Sequence, residues 1–172
     1  MKILVLNGSP HKDGNTAFLV NAFKEGATGA GHDVNVINVC EKNIAGCIGC
    51  DACHEAGRCV FQDDMQEVYD LIDVCEMIVF ASPVYYHFYS GQLQSAISRI
   101  YCYGLEKVGA LNKAALILTS GDDGVYGPGT DAYQLNFIKY LGWEDKGVYT
   151  SYDGQHKTPE KYEELKAFGA SL

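Results

Sequence analysis

The chain has 172 residues, of which 47% are hydrophobic, and its formal net charge is −9. This size and apolar content suit one domain, residues 1–172, with a sizeable core. The acidic balance argues against nucleic acid or an anionic membrane as a partner, since both need a basic face. Met1 leads directly into a predicted strand, and no apolar run approaches the length that crosses a bilayer, so we expect a cytoplasmic protein.

Apolar runs alternate with amphipathic segments along the chain, which is typical of an α/β fold with a parallel sheet covered on both faces. Five strands and a binding loop after the first predict the three-layer flavodoxin-like fold, with strand order 2-1-3-4-5. Strands are predicted near 2–7, 34–39, 76–81, 113–119 and 146–150, and helices near 15–29, 63–74, 91–103, 129–141 and 159–169.

The first predicted strand runs into a loop, Gly8 to Gly14, and then into a helix. Backbone N–H groups and the helix dipole make such a loop an anion site. The dinucleotide pattern G-x-G-x-x-G is absent, and Asn15 stands where the P-loop pattern has its lysine. Neutral donors without that lysine suit a terminal monophosphate better than ATP, which predicts FMN as the ligand. The candidate phosphate donors are Ser9, His11, Asn15 and Thr16.

An aromatic loop follows the third predicted strand and opens onto a helix-like segment. Loops at the carboxyl edge of a parallel sheet bind ligands, and flat rings there suit a flat ligand. An aromatic core cluster beneath a loop is the competing interpretation. The strand order favours the ligand, because it places this loop beside the phosphate loop. The residues that would border the ligand are Pro83, Val84, Tyr85 and Tyr86.

The segments GSPHKDGNTAFLV and SPVYYHFYSGQLQSAISR resemble the NAD(P)H-dependent FMN reductase family of flavodoxin-like proteins, over roughly the whole chain. The resemblance implies that the first loop holds the FMN phosphate and that the second runs beside the flavin ring. It also implies that a third loop, Thr119 to Gly124, covers the pyrimidine edge through Ser120 and Gly121. The chain departs from the family at His11, where members often carry Arg, and at Ser98, where they often carry Asp.

Four cysteines with the spacing C-x₂-C-x₂-C-x₅-C lie in a cysteine-rich loop, residues 44–62. Four thiolates in so short a segment can surround one [4Fe–4S] cluster, and the spacing resembles that of the iron–sulfur flavoproteins, a branch of the same family. Zinc sites usually set their cysteine pairs further apart. Packing of the loop by the thiols, with no cluster, stays open as the alternative. The four candidate ligands are Cys47, Cys50, Cys53 and Cys59.

The resemblance predicts an FMN-dependent oxidoreductase that transfers electrons from NAD(P)H to a quinone, a flavin or another small acceptor. No side chain is expected to act as a catalytic acid or base, because the cofactor carries the chemistry. The alternative is an iron–sulfur flavoprotein or flavodoxin-like electron carrier that uses FMN and a [4Fe–4S] cluster with a ferredoxin-type partner. The resemblance also implies a homodimer or homotetramer, for which the aromatic run of Tyr85, Tyr86, Phe88 and Tyr89 offers an interface.

Overall fold

The computed structural model describes residues 1–103 and 110–172. Its strands are β1 (Lys2–Asn7), β2 (Asp33–Asn38), β3 (Met77–Pro83), β4 (Lys113–Thr119) and β5 (Glu144–Ser151). They form one parallel sheet in the order β2-β1-β3-β4-β5. The predicted flavodoxin-like fold is therefore confirmed. Each strand begins and ends within two residues of its predicted bounds.

Helices cover both faces of the sheet and enclose two apolar cores. The helices are α1 (Asn15–Gly29), α2 (Ala52–Ala56), α3 (Met65–Ile72), α4 (Gly91–Arg99), α5 (Gly127–Tyr133) and α6 (Pro159–Ala170). The first core lies under α1 and α6, where Phe23 and Phe168 pack on the sheet residues Val5 and Val79. The second lies under α3, α4 and α5. In the described ranges, no helix is long and apolar enough to cross a membrane.

Two predicted helices change their winding before they end. The helix predicted over 91–103 is α-helical only to Arg99 and continues as a 3₁₀ turn, Ile100–Tyr103. The helix predicted over 129–141 becomes a π-helix at Gln134–Tyr140, in which Phe137 stacks on Phe80 with 4.4 Å between ring centroids. Helix α2 lies inside the cysteine-rich loop and was not predicted, because five residues are too few to show a helical period.

Helices α1 and α6 cross with their backbones almost in contact. A Cβ atom on Gly26 of α1 would lie 1.9 Å from the Lys166 carbonyl oxygen, and one on Gly169 of α6 would lie 2.2 Å from the Phe23 carbonyl oxygen. Real Cβ atoms do not approach backbone this closely, so glycine is required at both positions. This crossing fixes the position of α1, whose N-terminus borders the candidate site.

Substituting Gly26→Ala tests this crossing. We expect the free energy of unfolding to fall by about 1–3 kcal/mol, because overpacking forces the two helices apart. Gly29→Ala is the matched control: it makes the same change in the same helix, where an added Cβ meets nothing within 4 Å. Helix propensity then leaves stability unchanged or raises it by up to about 1 kcal/mol. Urea denaturation measures both, and equal effects of the two substitutions would contradict the close crossing.

Candidate functional site

A cavity of about 260 Å³ lies at the carboxyl edge of the sheet, where the loops after β1, β3 and β4 meet. This edge holds the topological switch point between β1 and β3, the usual ligand position in open α/β sheets. We call it the switch-point cavity. Its lining residues are Ser9, His11, Gly14, Asn15, Thr16, Pro83, Val84, Tyr85, Thr119, Ser120, Gly121, Asp153 and His156.

Nine of the ten residues predicted to bind the flavin cofactor line this one cavity. Tyr86 is the exception, since its side chain is fully exposed. Four further residues, Gly14, Thr119, Asp153 and His156, also line the cavity. Gly14 and Thr119 were predicted only as ends of the first and third loops, and Asp153 and His156 were not predicted. The structure thus brings the three predicted loops together, while the contact of each residue with a cofactor stays a prediction.

The loop after β1 is folded around Ser9. The Ser9 N–H donates to Asn7 Oδ1 at 3.1 Å, and Ser9 Oγ accepts from the His11 N–H at 3.2 Å. Helix α1 then begins after Gly14, and no side chain in the described part of the chain caps it. The first N–H groups of α1 are therefore available to an anion in the cavity, with the helix dipole behind them.

A pair of buried hydroxyl groups lines the switch-point cavity. Thr16 Oγ1 and Thr119 Oγ1 lie 2.7 Å apart, and the two residues are 1% and 3% exposed. One of their two hydroxyl hydrogens is used in this hydrogen bond. The other remains free to donate to a ligand oxygen. Thr119 was predicted only as the first residue of the third loop. Its pairing with Thr16 was missed, because only the strand order brings the two residues together.

The loop after β3 forms a tight two-residue turn. Tyr85 and Phe88 exchange backbone hydrogen bonds of 2.9 and 3.2 Å, while Tyr86 (φ 53°) and His87 (φ 66°) adopt left-handed backbone conformations between them. Such conformations are strained for residues other than glycine and often occur at functional sites. Tyr89 is only 5% exposed, and its hydroxyl donates to the Gly129 carbonyl. The predicted exposed aromatic run is therefore wrong at Tyr89, which belongs to the core.

The loop after β4 is held by hydrogen bonds within the protein. Ser120 Oγ lies 2.7 Å from the Tyr126 hydroxyl oxygen and donates to the Asp122 carbonyl at 2.5 Å. The hydroxyl of Ser120 is thus engaged before any ligand arrives. His156 Nε2 donates to the Ser120 carbonyl at 2.8 Å, and its Nδ1 lies 3.1 Å from Ser151 Oγ. Because a carbonyl oxygen only accepts, Nε2 carries the hydrogen and the histidine ring is fixed in the cavity wall.

The four predicted cysteine ligands line a second, small cavity, which we call the cysteine cavity. Arg99 and Cys102 line it as well. Its volume is about 20 Å³, enough for about one water molecule. Over residues 1–103 and 110–172, no three His, Cys, Asp or Glu side chains are grouped to hold a metal ion. The thiols are neighbours, but they do not form a preformed cage for a single ion.

The donor chemistry of the cysteine cavity nevertheless fits an iron–sulfur cluster better than a single ion. In a [4Fe–4S] cluster each thiolate binds a different iron, so the sulfur atoms need not converge on one point. Cys47 and Cys50 are exposed and lie in a loop without regular structure, whereas Cys53 and Cys59 are half-buried. The four thiols therefore supply the number and the type of ligands that such a cluster takes.

An ion pair between buried Arg99 and largely buried Asp63 joins the end of the cysteine-rich loop to α4. Arg99 Nη1 and Nη2 donate to the two carboxylate oxygens of Asp63 at 2.7 and 3.1 Å, and Nη1 also donates to the Ala45 carbonyl at 2.9 Å. Burial opposes ionisation of Asp63, but hydrogen bonds from Arg99 and from the Ala45 N–H hold the pKa of this carboxyl below its ordinary value. Asp63 was predicted only as a helix-start residue, because its partner is 36 positions away.

Substituting Asp63→Asn tests how much the ion pair with Arg99 contributes to stability. We expect the free energy of unfolding at neutral pH to fall by about 3–5 kcal/mol, because the substitution leaves Arg99 buried without its counter-charge. Asp70→Asn is the control: Asp70 pairs with Arg58, but its side chain is 71% exposed. Its loss should cost about 0–1 kcal/mol. Similar losses for both substitutions, measured by urea denaturation, would argue against the buried pair.

The same ion pair predicts that the stability of the fold depends on pH. Because the folded pKa of Asp63 is lowered, its stabilisation is complete above the unfolded-state pKa of about 3.9 and is lost as the pH falls through the folded pKa. The difference in stability between the parent protein and Asp63→Asn should therefore shrink below about pH 4. A constant difference down to the acid limit would contradict the assignment.

Comparisons with known proteins agree with this geometry. The sequence model of the family described as NADPH-dependent FMN reductase matches residues 1–138. A curated relative, "Iron-sulfur flavoprotein" of Archaeoglobus fulgidus, is 35% identical over 60% of this chain and 47% of its own length. The chain thus matches about half the length of that relative.

Two solved structures share the fold at low sequence identity. The NAD(P)H:quinone oxidoreductase from Methanothermobacter marburgensis has a TM-score of 0.79 at 16% identity, covering 100% of this chain and 96% of the other. An FMN-dependent NADH-azoreductase from Bacillus anthracis, in complex with FMN, has a TM-score of 0.70 at 16% identity, covering 100% and 99%. At such low identity these likenesses establish the fold alone.

Proposed function

Because this chain belongs to the NADPH-dependent FMN reductase family, we propose that it is an FMN-dependent oxidoreductase that transfers electrons from NAD(P)H to a quinone, a flavin or another small acceptor. The observation that carries the proposal is the switch-point cavity. An uncapped helix N-terminus, a buried hydroxyl pair and an aromatic loop converge there. FMN supplies the redox chemistry when bound, so the protein needs to hold and orient it.

The phosphate of FMN suits the end of the cavity beside α1. The first N–H groups of this helix and the hydroxyl pair of Thr16 and Thr119 are donors that need no positive side chain. Ser9 already accepts from the His11 N–H and has only a long bond of 3.4 Å to the His11 carbonyl, so its hydroxyl hydrogen can turn to a phosphate oxygen. Asn15 and His11 line the same end of the cavity and complete the donor set.

The isoalloxazine ring suits the opposite end of the cavity. Pro83, Val84 and Tyr85 offer apolar and aromatic surface there, and Tyr86 extends the same loop into solvent. Because Gly121 has no side chain, its backbone can lie close to the pyrimidine edge of the ring. Ser120 shapes that edge through its carbonyl, which His156 holds in place. In this proposal no side chain acts as a catalytic acid or base.

Titration of the apo-protein with FMN, followed by anaerobic reduction, tests the function directly. We expect a yellow complex whose flavin bands bleach on addition of NADPH or NADH. Reduced ferredoxin is the comparison donor, because an electron carrier would accept electrons from it and not from a nicotinamide. A protein that binds no FMN would overturn the proposal, and one that is reduced only by ferredoxin would replace the reductase with a carrier.

Substituting Thr16→Ala tests the phosphate site. Loss of a hydroxyl donor to a charged acceptor costs about 1.5–3 kcal/mol, so FMN affinity should fall by about 10- to 150-fold. Thr28→Ala is the matched control, because it makes the same change at the exposed far end of the same helix. FMN fluorescence quenching measures both affinities. An unchanged affinity in Thr16→Ala would remove this hydroxyl from the site.

A second candidate function is an iron–sulfur flavoprotein that passes electrons between FMN and a ferredoxin-type partner. The observation that favours it is the meeting of Cys47, Cys50, Cys53 and Cys59 at one cavity. These four thiolates would hold the cluster, which would supply one-electron chemistry. The name of the Archaeoglobus fulgidus relative supports the same interpretation.

Substituting Cys59→Ala tests the cluster. Protein purified without air should contain iron and sulfide in addition to FMN, and the substitution should remove the iron while FMN stays bound, since the two sites lie on different loops. Cys75→Ala is the control, because Cys75 is buried in the core and does not line the cysteine cavity. Iron-free parent protein from a careful anaerobic preparation would favour cysteines that only pack the loop.

We further propose that the chain forms a homodimer or homotetramer and that its partner in electron transfer is a small-molecule acceptor or a redox protein. Tyr85 and Tyr86 support the assembly, since they are 46% and 101% exposed beside the switch-point cavity. Aromatic residues are enriched at interface cores. Light scattering of the FMN-bound protein at micromolar concentration should give at least twice the mass of one chain, and a monomer would overturn the assembly.

A further inference from the structure

Arg99 is a buried cation with an unused donor at the edge of the cysteine cavity. The residue is 2% exposed and lines this cavity together with Cys59 and Cys102. Its Nε atom is buried and has no hydrogen-bond partner among the described residues. An unsatisfied buried donor is destabilising, and more so when it is charged, so such a group usually has a partner.

The other guanidinium donors are directed away from Nε. Nη1 and Nη2 each donate a hydrogen bond to the Asp63 carboxylate, and Nη1 also donates to the Ala45 carbonyl. A guanidinium is planar and rigid, so engagement of its Nη1/Nη2 end fixes the direction of its Nε edge. Asp63 therefore acts as the support that holds this edge in place.

Thiols are the groups that share this cavity wall with Arg99. Cys59 and Cys102 line the cavity beside it, together with the other three predicted cysteine ligands. Two other buried donors without partners, Arg58 Nε and Trp143 Nε1, belong to residues that do not line the cysteine cavity. Arg99 is thus the buried cation placed among the thiols.

We propose that Arg99 donates a hydrogen bond from Nε to a sulfur atom of the iron–sulfur group held by the four cysteines, and that it thereby raises the reduction potential of that group. The inference rests on the second candidate function. Four thiolates give the group a net negative charge, and reduction adds another electron to it. A fixed positive donor stabilises the more negative, reduced state, so the potential rises. Arg99 is in this view a positioning residue, oriented by Asp63.

The test is the substitution Arg99→Lys in protein purified without air. Lysine keeps a positive charge that can pair with Asp63, but it has no planar Nε edge. We expect FMN binding to persist and the midpoint potential of the iron–sulfur group to become more negative. A tenfold change in the reduction equilibrium corresponds to a shift of about 59 mV for a one-electron couple, and we expect at least that.

Arg58→Lys is the matched control. The chain contains two arginines, and Arg58 also has a buried Nε without a partner, but it pairs with Asp70 outside the cysteine cavity. Its substitution should leave the potential unchanged. If Arg99 only fastens the loop, Arg99→Lys should lower the content of iron without moving the potential of the clusters that remain, and this result would overturn the proposal.

A measurement on the protein without any change at Arg99 covers the case in which Arg99→Lys does not fold. Pulsed paramagnetic resonance of the reduced protein, labelled with ¹⁵N at arginine Nε, should detect a ¹⁵N coupling to the iron–sulfur group. The coupling should persist in Arg58→Lys, which leaves Arg99 as the sole labelled arginine. Absence of this coupling would overturn the proposal. Parent protein that contains no iron and sulfide would instead overturn the second candidate function, and it would not affect the proposed FMN site.

Discussion

The hydrogen bond from the Gly8 N–H to the Ala81 carbonyl, 2.8 Å long, joins the ends of β1 and β3 where the candidate site opens. It continues the parallel register in which Asn7 pairs with Ala81. A Cβ atom on Gly8 would lie 2.6 Å from both Leu93 Cβ and Ser90 Oγ, so only glycine allows this approach. The bond fixes the loops after β1 and β3 relative to each other, and these two loops, with the adjoining ends of β3 and α1, carry eight of the cavity residues.

Helix α4 connects this bond to the cysteine-rich loop. Ser90 caps the first turn of the helix by accepting from the Leu93 N–H at 3.3 Å, beside Gly8. Arg99 ends the same helix and binds Asp63 at 2.7 Å. The helix has nine residues, so this rigid element is about 13.5 Å long, at a rise of about 1.5 Å per residue. One element therefore connects the Gly8–Ala81 contact to the wall of the cysteine cavity.

The fold and the loops of the site could be predicted from the sequence, because their signals are local. Apolar runs gave the five strands, and the loop beginning at Gly8 and the loop of Pro83 to Tyr86 stand directly after two of them. His156 and the pair of Thr119 with Thr16 could not be predicted in this way. Their roles depend on contacts across 36 and 103 positions of the chain, which no local pattern contains.

The cysteine cavity shows where a local pattern stops being informative. The spacing of Cys47, Cys50, Cys53 and Cys59 predicted that the thiols would be neighbours, and they are. The cysteine spacing did not predict that Arg99 would line the same cavity, because in the sequence Arg99 stands at an ordinary helix end. Only the folded chain brings the Arg99 guanidinium to the wall of the cysteine cavity. In the proposed iron–sulfur site, the spacing determines which cysteines can be ligands, but the residues around the cluster determine its reduction potential. The sequence pattern therefore identifies the candidate ligands and not the residue that we propose to tune them.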